Sequence, residues 1–281
     1  MKTKLRVMRT GFLRSMGIPP QVTHPLSTST SVRVPRIETF SMLNVVGRAS
    51  QEDFKRLLAL NITLQGKIAL AKYGGPFRGL KVKNAQVFGM IGAVIFTDPG
   101  DDRNMTANNY ATYPDGPARN PTSIQKGSVM DLSTYPGDPT TPGYPSKEGV
   151  ERKEKKTVPT IPSLPISWIE AKQLLVALNG HGIDAKTADR PNWVGGIDGV
   201  EYSSGPSEAV LSMSNMMRGE TNWIHNAIGI INGTDEDEVV IVGNHHDAWM
   251  IGGAGKSGTQ AGTLDKTNVH SGSAFGLCDS R

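Results

Sequence analysis

The sequence predicts an α/β protein: a β-rich layer with flanking helices, followed by the opening strands of a second α/β unit. Three observations predict it. Glycine-bounded apolar runs alternate with helical periodicity between residues 43 and 97. A long stretch, 98–160, is dense in turn signals such as Tyr113-Pro114-Asp115-Gly116 and lacks periodicity. Finally, the β-branched run Val239-Val240-Ile241-Val242 ends abruptly in Gly243-Asn244-His245-His246-Asp247-Ala248-Trp249. That is the pattern of a buried parallel strand delivering polar groups at its carboxyl end.

The elements follow in order. Residues 1–43 lack periodicity and carry Leu26-Ser27-Thr28-Ser29-Thr30-Ser31, so they read as disordered. Leu43-Asn44-Val45-Val46-Gly47 is a strand. Ser50 is placed as the N-cap of a helix through Phe54, Leu57, Leu58 and Leu60, with Asp53 reciprocating. Residues 66–74 predict a second strand, 81–92 a helix, and Ala93-Val94-Ile95-Phe96 a third strand. Pro159, Pro162 and Pro165 exclude a central strand near 158–167 and favour an extended edge segment. Ser167 caps a helix over 168–178, closed by Asn179-Gly180. Strands with glycine turns are expected over 190–219, including a half-buried one at 209–214. Asn232-Gly233 predicts a hairpin joining 227–231 to 239–242.

Composition narrows the function. A formal net charge of +4, with no basic block interleaved with aromatics, gives no support to nucleic-acid binding. The single cysteine, Cys278, excludes an internal disulfide and a cysteine-based zinc site. No apolar run reaches the roughly 20 residues of a membrane span. Residues 1–37 contain no acid but seven Lys or Arg, a composition compatible with a transit peptide. Three sequons, at Asn61, Asn104 and Asn232, would suit a glycoprotein in a lumenal setting. Gly252 to Ser257 imitates a phosphate loop, but Met250 stands where its first glycine belongs.

His245 with Asp247 two residues on can hold a metal, the carboxylate orienting an imidazole or ligating directly. Taken alone, the cluster reads more readily as a polar loop after a strand. Its neighbours decide the matter.

Several stretches, in register, resemble the family of glutamate carboxypeptidase and the transferrin receptor, which are zinc peptidases and their relatives with an inserted protease-associated domain. They are Arg48 to Leu58; Gly66-Lys67-Ile68 with Lys72-Tyr73-Gly74; Phe77-Arg78-Gly79 with Lys81-Val82-Lys83-Asn84-Ala85; Tyr113-Pro114-Asp115-Gly116; Thr141-Pro142-Gly143-Tyr144-Pro145; Ile161-Pro162 to Leu175; and Gly243 to Trp249. Within the family the chain is most similar to fungal members of a vacuolar protein sorting type. The resemblance implies a protease-associated domain over 44–219 and the opening of a zinc-peptidase domain over 220–281. It places His245 on a zinc-ligand position and Asp247 on the acid that orients the ligand histidine, with His246 where the family usually has arginine. It puts Arg78 on the arginine that binds the substrate's terminal carboxylate, although an ordinary surface arginine is an equal reading. Thr141 and Tyr144 match positions of a structural calcium site.

The resemblance also shows what is out of place. An aspartate bridging two zinc ions is expected where Gly255 and Lys256 stand, and no Glu that could serve as general base follows in the family's context. Family-like sequence breaks at Lys256 and resumes briefly at Ser271-Gly272-Ser273-Ala274, so 256–281 reads as a non-native tail. The expectation is therefore part of a two-zinc amino- or carboxypeptidase that is inactive as it stands. The alternative is a non-catalytic, receptor-like or sorting protein whose protease-associated domain binds a protein partner. Peptide substrate, a secretory or vacuolar membrane setting and homodimerisation through a further domain not found in this sequence are what the family implies.

Overall fold

A computed structural model describes residues 4–6, 37–215, 223, 228–231, 240–241 and 278–279. The chain divides into two compact units, Met1–Thr221 and Asn222–Arg281. In the first, six strands form one sheet in the order β1-β6-β2-β3-β4-β5. The strands are β1 (Lys4–Arg6), β2 (Ile37–Val45), β3 (Ile68–Lys72), β4 (Gly92–Phe96), β5 (Ser163–Ile166) and β6 (Val210–Asn215). Neighbours β2, β3, β4 and β5 are parallel, whereas β6 runs antiparallel to β2. Helices α1 (Gln51–Ala59), α2 (Arg78–Val87) and α3 (Trp168–Val176) follow β2, β3 and β5. The α/β class is as the sequence predicts.

Strand β2 turns the corner of the domain. Its first half pairs with β6, Ile37 opposite Asn215, and its second half pairs with β3, Leu43 opposite Ile68. The sheet thereby folds toward itself: Asn215 Nδ2 donates to Ser163 O of the far strand at 3.1 Å. One apolar cluster, including Leu70, Phe96, Leu175, Leu211 and Met213, fills the inside of this fold. A second, with Phe54, Leu57, Val82, Ile95 and Trp193, lies under α1 and α2. Central strands β3 and β4 are buried throughout, as parallel strands between two covered faces must be. Proline-bearing β5 takes the edge, where a missing N–H costs nothing.

The capping box expected at Ser50 and Asp53 is present, and a second forms between Ser167 and Glu170. Asp53 does more than cap. It is fully buried, accepts from Trp193 Nε1 at 2.9 Å and from Ser50 N at 2.9 Å, and pairs with the Arg190 guanidinium. One carboxylate thus ties the start of α1 to the 190–193 segment.

Four expectations differ from the structure. Residues 4–6 and 37–43, read as part of a disordered stretch, lie in β1 and β2, because pairing with β6 orders backbone that carries no local pattern. Helix α2 begins at Arg78, not Lys81, because Phe77 at its N-cap makes no side-chain hydrogen bond and so leaves no start signal. Between 194 and 209 there is no strand. The backbone there bonds elsewhere: Ser204 N to Ile183 O, Gly205 N to His181 O, and Val45 N to Ser204 O. In the second unit, Val240–Ile241 (β7) pairs antiparallel with Cys278–Asp279 (β8), and residues 228–231 are exposed and not in a strand. The expected hairpin partner is therefore absent from that side.

Lys81, the first residue of the helix expected over 81–92, is buried. Its ammonium donates to Arg48 O and Gly74 O. Burial, reinforced by the Arg48 charge, pulls its pKa down to about 7. The unfolded chain keeps the ordinary value of 10.5, so the native state binds fewer protons between the two. Stability is therefore expected to rise with pH across this window, because the unfolded chain is the better proton acceptor there. Urea midpoints at about pH 7 and about pH 10 should diverge in the parent and converge in Lys81→Met.

Candidate functional site

Arg78 is the sequence-selected residue that the structure surrounds with a site. It is the first residue of α2, and the helix packs so closely there that a Cβ on Gly79 would lie 2.2 Å from Met130 O. That approach brings the 127–130 backbone across the arginine. A Cβ on Gly127 would fall 2.1 Å from the guanidinium carbon and nitrogens. Against another side of the guanidinium lies the Phe77 ring, 4.6 Å from Cζ to centroid. Tyr73, at the end of β3, donates from its hydroxyl to Gln125 O at 2.8 Å and so fixes the loop that bears Gly127.

The guanidinium is held but not satisfied. Arg78 Nε is enclosed and has no acceptor among the described residues, and no described carboxylate pairs with the side chain. Burial lowers the Arg78 pKa, with Tyr73 acting in the opposite direction. Burial also pushes the Tyr73 phenol up to about 12, the nearby arginine pulling it back only in part. Unpaired, desolvated cations are costly, and the first turn of α2 holds no acid to balance this one. The helix N-terminus adds positive potential at the same place. The arrangement is suited to an anion with two oxygens in a plane.

Thr141 and Tyr144 sit in a different part of the long 98–160 stretch. Thr141 is buried in a turn, its N–H donating to Asp138 O at 3.1 Å, and Tyr144 N donates to Thr141 O at 3.4 Å. The Tyr144 hydroxyl donates to Glu151 O at 2.7 Å, and the Lys153 ammonium lies 5.8 Å from its ring centroid. The acid that organises this turn is Asp138. Partial burial opposes its ionisation, but hydrogen bonds from Ser146, Thr140 and Arg152 outweigh that and hold it down to about 2. Among the described residues no group of three His, Cys, Asp or Glu side chains could hold a metal ion. His245, His246 and Asp247 lie outside the described residues.

Sequence reasoning found Arg78 but gave no role to Tyr73, Phe77 or Gly127. Tyr73 and Phe77 are near it in the chain and could have been suspected. Gly127 carries no local signal, since its importance comes from a contact across 49 positions (127 − 78).

With this geometry in view, comparison with known proteins is informative. Residues 38–132 match the family model of the PA domain, so the first unit contains a protease-associated domain. Over 213 residues the chain is 60% identical to a probable glutamate carboxypeptidase of Arthroderma benhamiae, covering 75% of this chain and 29% of that protein. It is 34% identical over 234 residues to aminopeptidase NAALADL1 of Rattus norvegicus, covering 79% and 30% respectively. It is also 34% identical over 220 residues to vacuolar protein sorting-associated protein 70 of Saccharomyces cerevisiae, covering 76% and 26%. The chain therefore belongs with the glutamate carboxypeptidase-like proteins. It spans under a third of the length of these relatives.

Proposed function

We propose that this chain carries the substrate-facing part of a peptidase of the glutamate carboxypeptidase kind, with Arg78 receiving the terminal carboxylate of a peptide. The observation that carries the reading is the half-buried guanidinium, set between the Phe77 ring and the Gly127 backbone, with its enclosed Nε lacking an acceptor among the described residues. Peptide is the favoured ligand class because relatives bear peptidase names. A carboxylate supplies the two acceptor oxygens that a guanidinium fork matches. Gly127→Ala should abolish carboxylate binding, because its methyl would fall 2.1 Å from the Arg78 guanidinium, and at a φ of +154° it should lower the urea midpoint as well. Titration of the variant with a short peptide acid checks this; unchanged binding would remove Arg78 from the site.

Hydrolysis is a separate question. By resemblance, His245 would hold a zinc ion, with Asp247 orienting its imidazole. A zinc pair supplies a polarised water for attack on a peptide carbonyl. The donor set does not fit that pair. Gly255 cannot bridge two metals through a side chain, and the Lys256 ammonium would repel them. The chain as given is a peptide-binding protein that does not cut, and a sorting or receptor-like role remains in keeping with Lys256. Thr141 and Tyr144 could offer oxygens to calcium only with carboxylates from outside the described residues, and Lys153 over Tyr144 opposes a cation there. A vacuolar or secretory setting is favoured by the yeast relative's name. No helix among the described residues is long and apolar enough to cross a membrane.

Zinc calorimetry combined with a chromogenic dipeptide assay tests the catalytic part. The expected result is no turnover and no tight binding of two zinc ions; two tight zinc ions with turnover would contradict it.

A further inference from the structure

We infer that Asn61 is an N-glycosylation site, and that the structure selects it over the other described sequon at Asn104. Helix α1 ends by a Schellman turn: Ile62 N donates to Leu57 O at 3.0 Å and Asn61 N to Leu58 O at 3.0 Å. Asn61 sits at the turn's left-handed position, with φ of 60°. Asparagine tolerates that conformation better than most residues, so the turn alone accounts for an asparagine. It does not account for Thr63. That residue is exposed and its hydroxyl makes no hydrogen bond among the described residues. The chain alternates through the sequon: Ile62 packs against the core under α1 and Leu64 is buried, while Asn61 and Thr63 face solvent. The two groups that the modification requires are thus on the open side of a rigid turn, and the apolar residue between them anchors it.

Asn104 differs. It is exposed, also with positive φ of 64°, but its Oδ1 accepts from Asn109 Nδ2 at 2.7 Å, and its carbonyl accepts from the same amide at 3.1 Å. Thr106 of that sequon is half-buried, and its carbonyl accepts from Asn109 N and Tyr110 N. The bond accepted by Asn104 Oδ1 holds that carboxamide against Asn109 and restricts the reorientation that transfer to its Nδ2 requires. The Asn61 carboxamide has no such bond among the described residues.

The co-reactant is a lipid diphosphate-linked oligosaccharide. The Asn61 carboxamide nitrogen forms the bond to the anomeric carbon and loses a proton. The anomeric carbon–oxygen bond breaks, and its electron pair leaves on the lipid diphosphate. Bulky, hydrophilic modification of this kind belongs on surface turns.

The test is secretion of the 281-residue chain behind a cleavable leader from a eukaryotic host. Peptide mass mapping then follows digestion with a peptide N-glycanase, an amidase that hydrolyses the side-chain amide and leaves aspartate at each occupied asparagine. Most molecules should carry aspartate at position 61 and fewer at position 104. Thr63→Ala and Asn61→Gly should each lose one glycan mass while keeping the turn, and Thr63→Ser should retain it. A secreted, folded chain with Asn61 unmodified, or with Asn104 the more occupied site, would overturn the inference.

Discussion

Replacing Asp53 with alanine is expected to destabilise the protease-associated domain by about 3–4 kcal/mol. The carboxylate is fully buried and serves three donors at once: the Ser50 backbone, the Trp193 indole and the Arg190 guanidinium. Its removal deletes the capping box, about 1 kcal/mol. It also leaves the indole N–H of a fully buried tryptophan without an acceptor, roughly 1–3 kcal/mol. Arg190 is partly exposed and can turn to water, which keeps the loss at the lower end of the range for broken buried pairs. Asp53→Asn should fall between parent and alanine, because an amide oxygen still accepts from one donor. Urea midpoints of the three proteins check the order. An alanine variant within about 1 kcal/mol of the parent would mean that the 190–193 segment is not held through Asp53.

Arg78→Met is expected to behave in the opposite way. A partly buried cation whose Nε is enclosed without an acceptor costs the fold, and an apolar side chain of similar length removes that cost. The contact with the Phe77 ring is lost, about 0.5–1 kcal/mol. The net effect should lie between no change and about 2 kcal/mol of added stability. Carboxylate binding should meanwhile fall ten- to a hundred-fold, the share of a charge-assisted pair at about 1.5–3 kcal/mol. Gain of stability with loss of binding is the signature of a residue kept for function. A structural arginine would lose stability on the same change.

Local chemistry made much of this fold legible. Ser50 and Asp53 announce α1 within four residues, glycines bracket β3, and three prolines send β5 to the edge. The resemblance in Phe77-Arg78-Gly79 pointed to Arg78 before any geometry was known. What stayed hidden is long-range. Asp53 read as a cap, yet its strongest partners lie 137 and 140 positions away. Lys81 fell in an expected helix, but nothing in its neighbours shows that Arg48 O and Gly74 O will close over it. Residues 194–209 looked like strands because serine and glycine turns there satisfy the backbone without a ladder. Gly127 had no reason to stand out until the fold laid it over a guanidinium.

The central claim is that Arg78 forms an anion site for a peptide carboxylate. It is tested most directly by calorimetric titration of the chain with a short peptide ending in a free carboxylate and with the same peptide as its C-terminal amide. The acid should bind and the amide should not, and Arg78→Met should bind neither. Equal binding of acid and amide, or acid binding undiminished in Arg78→Met, would contradict it.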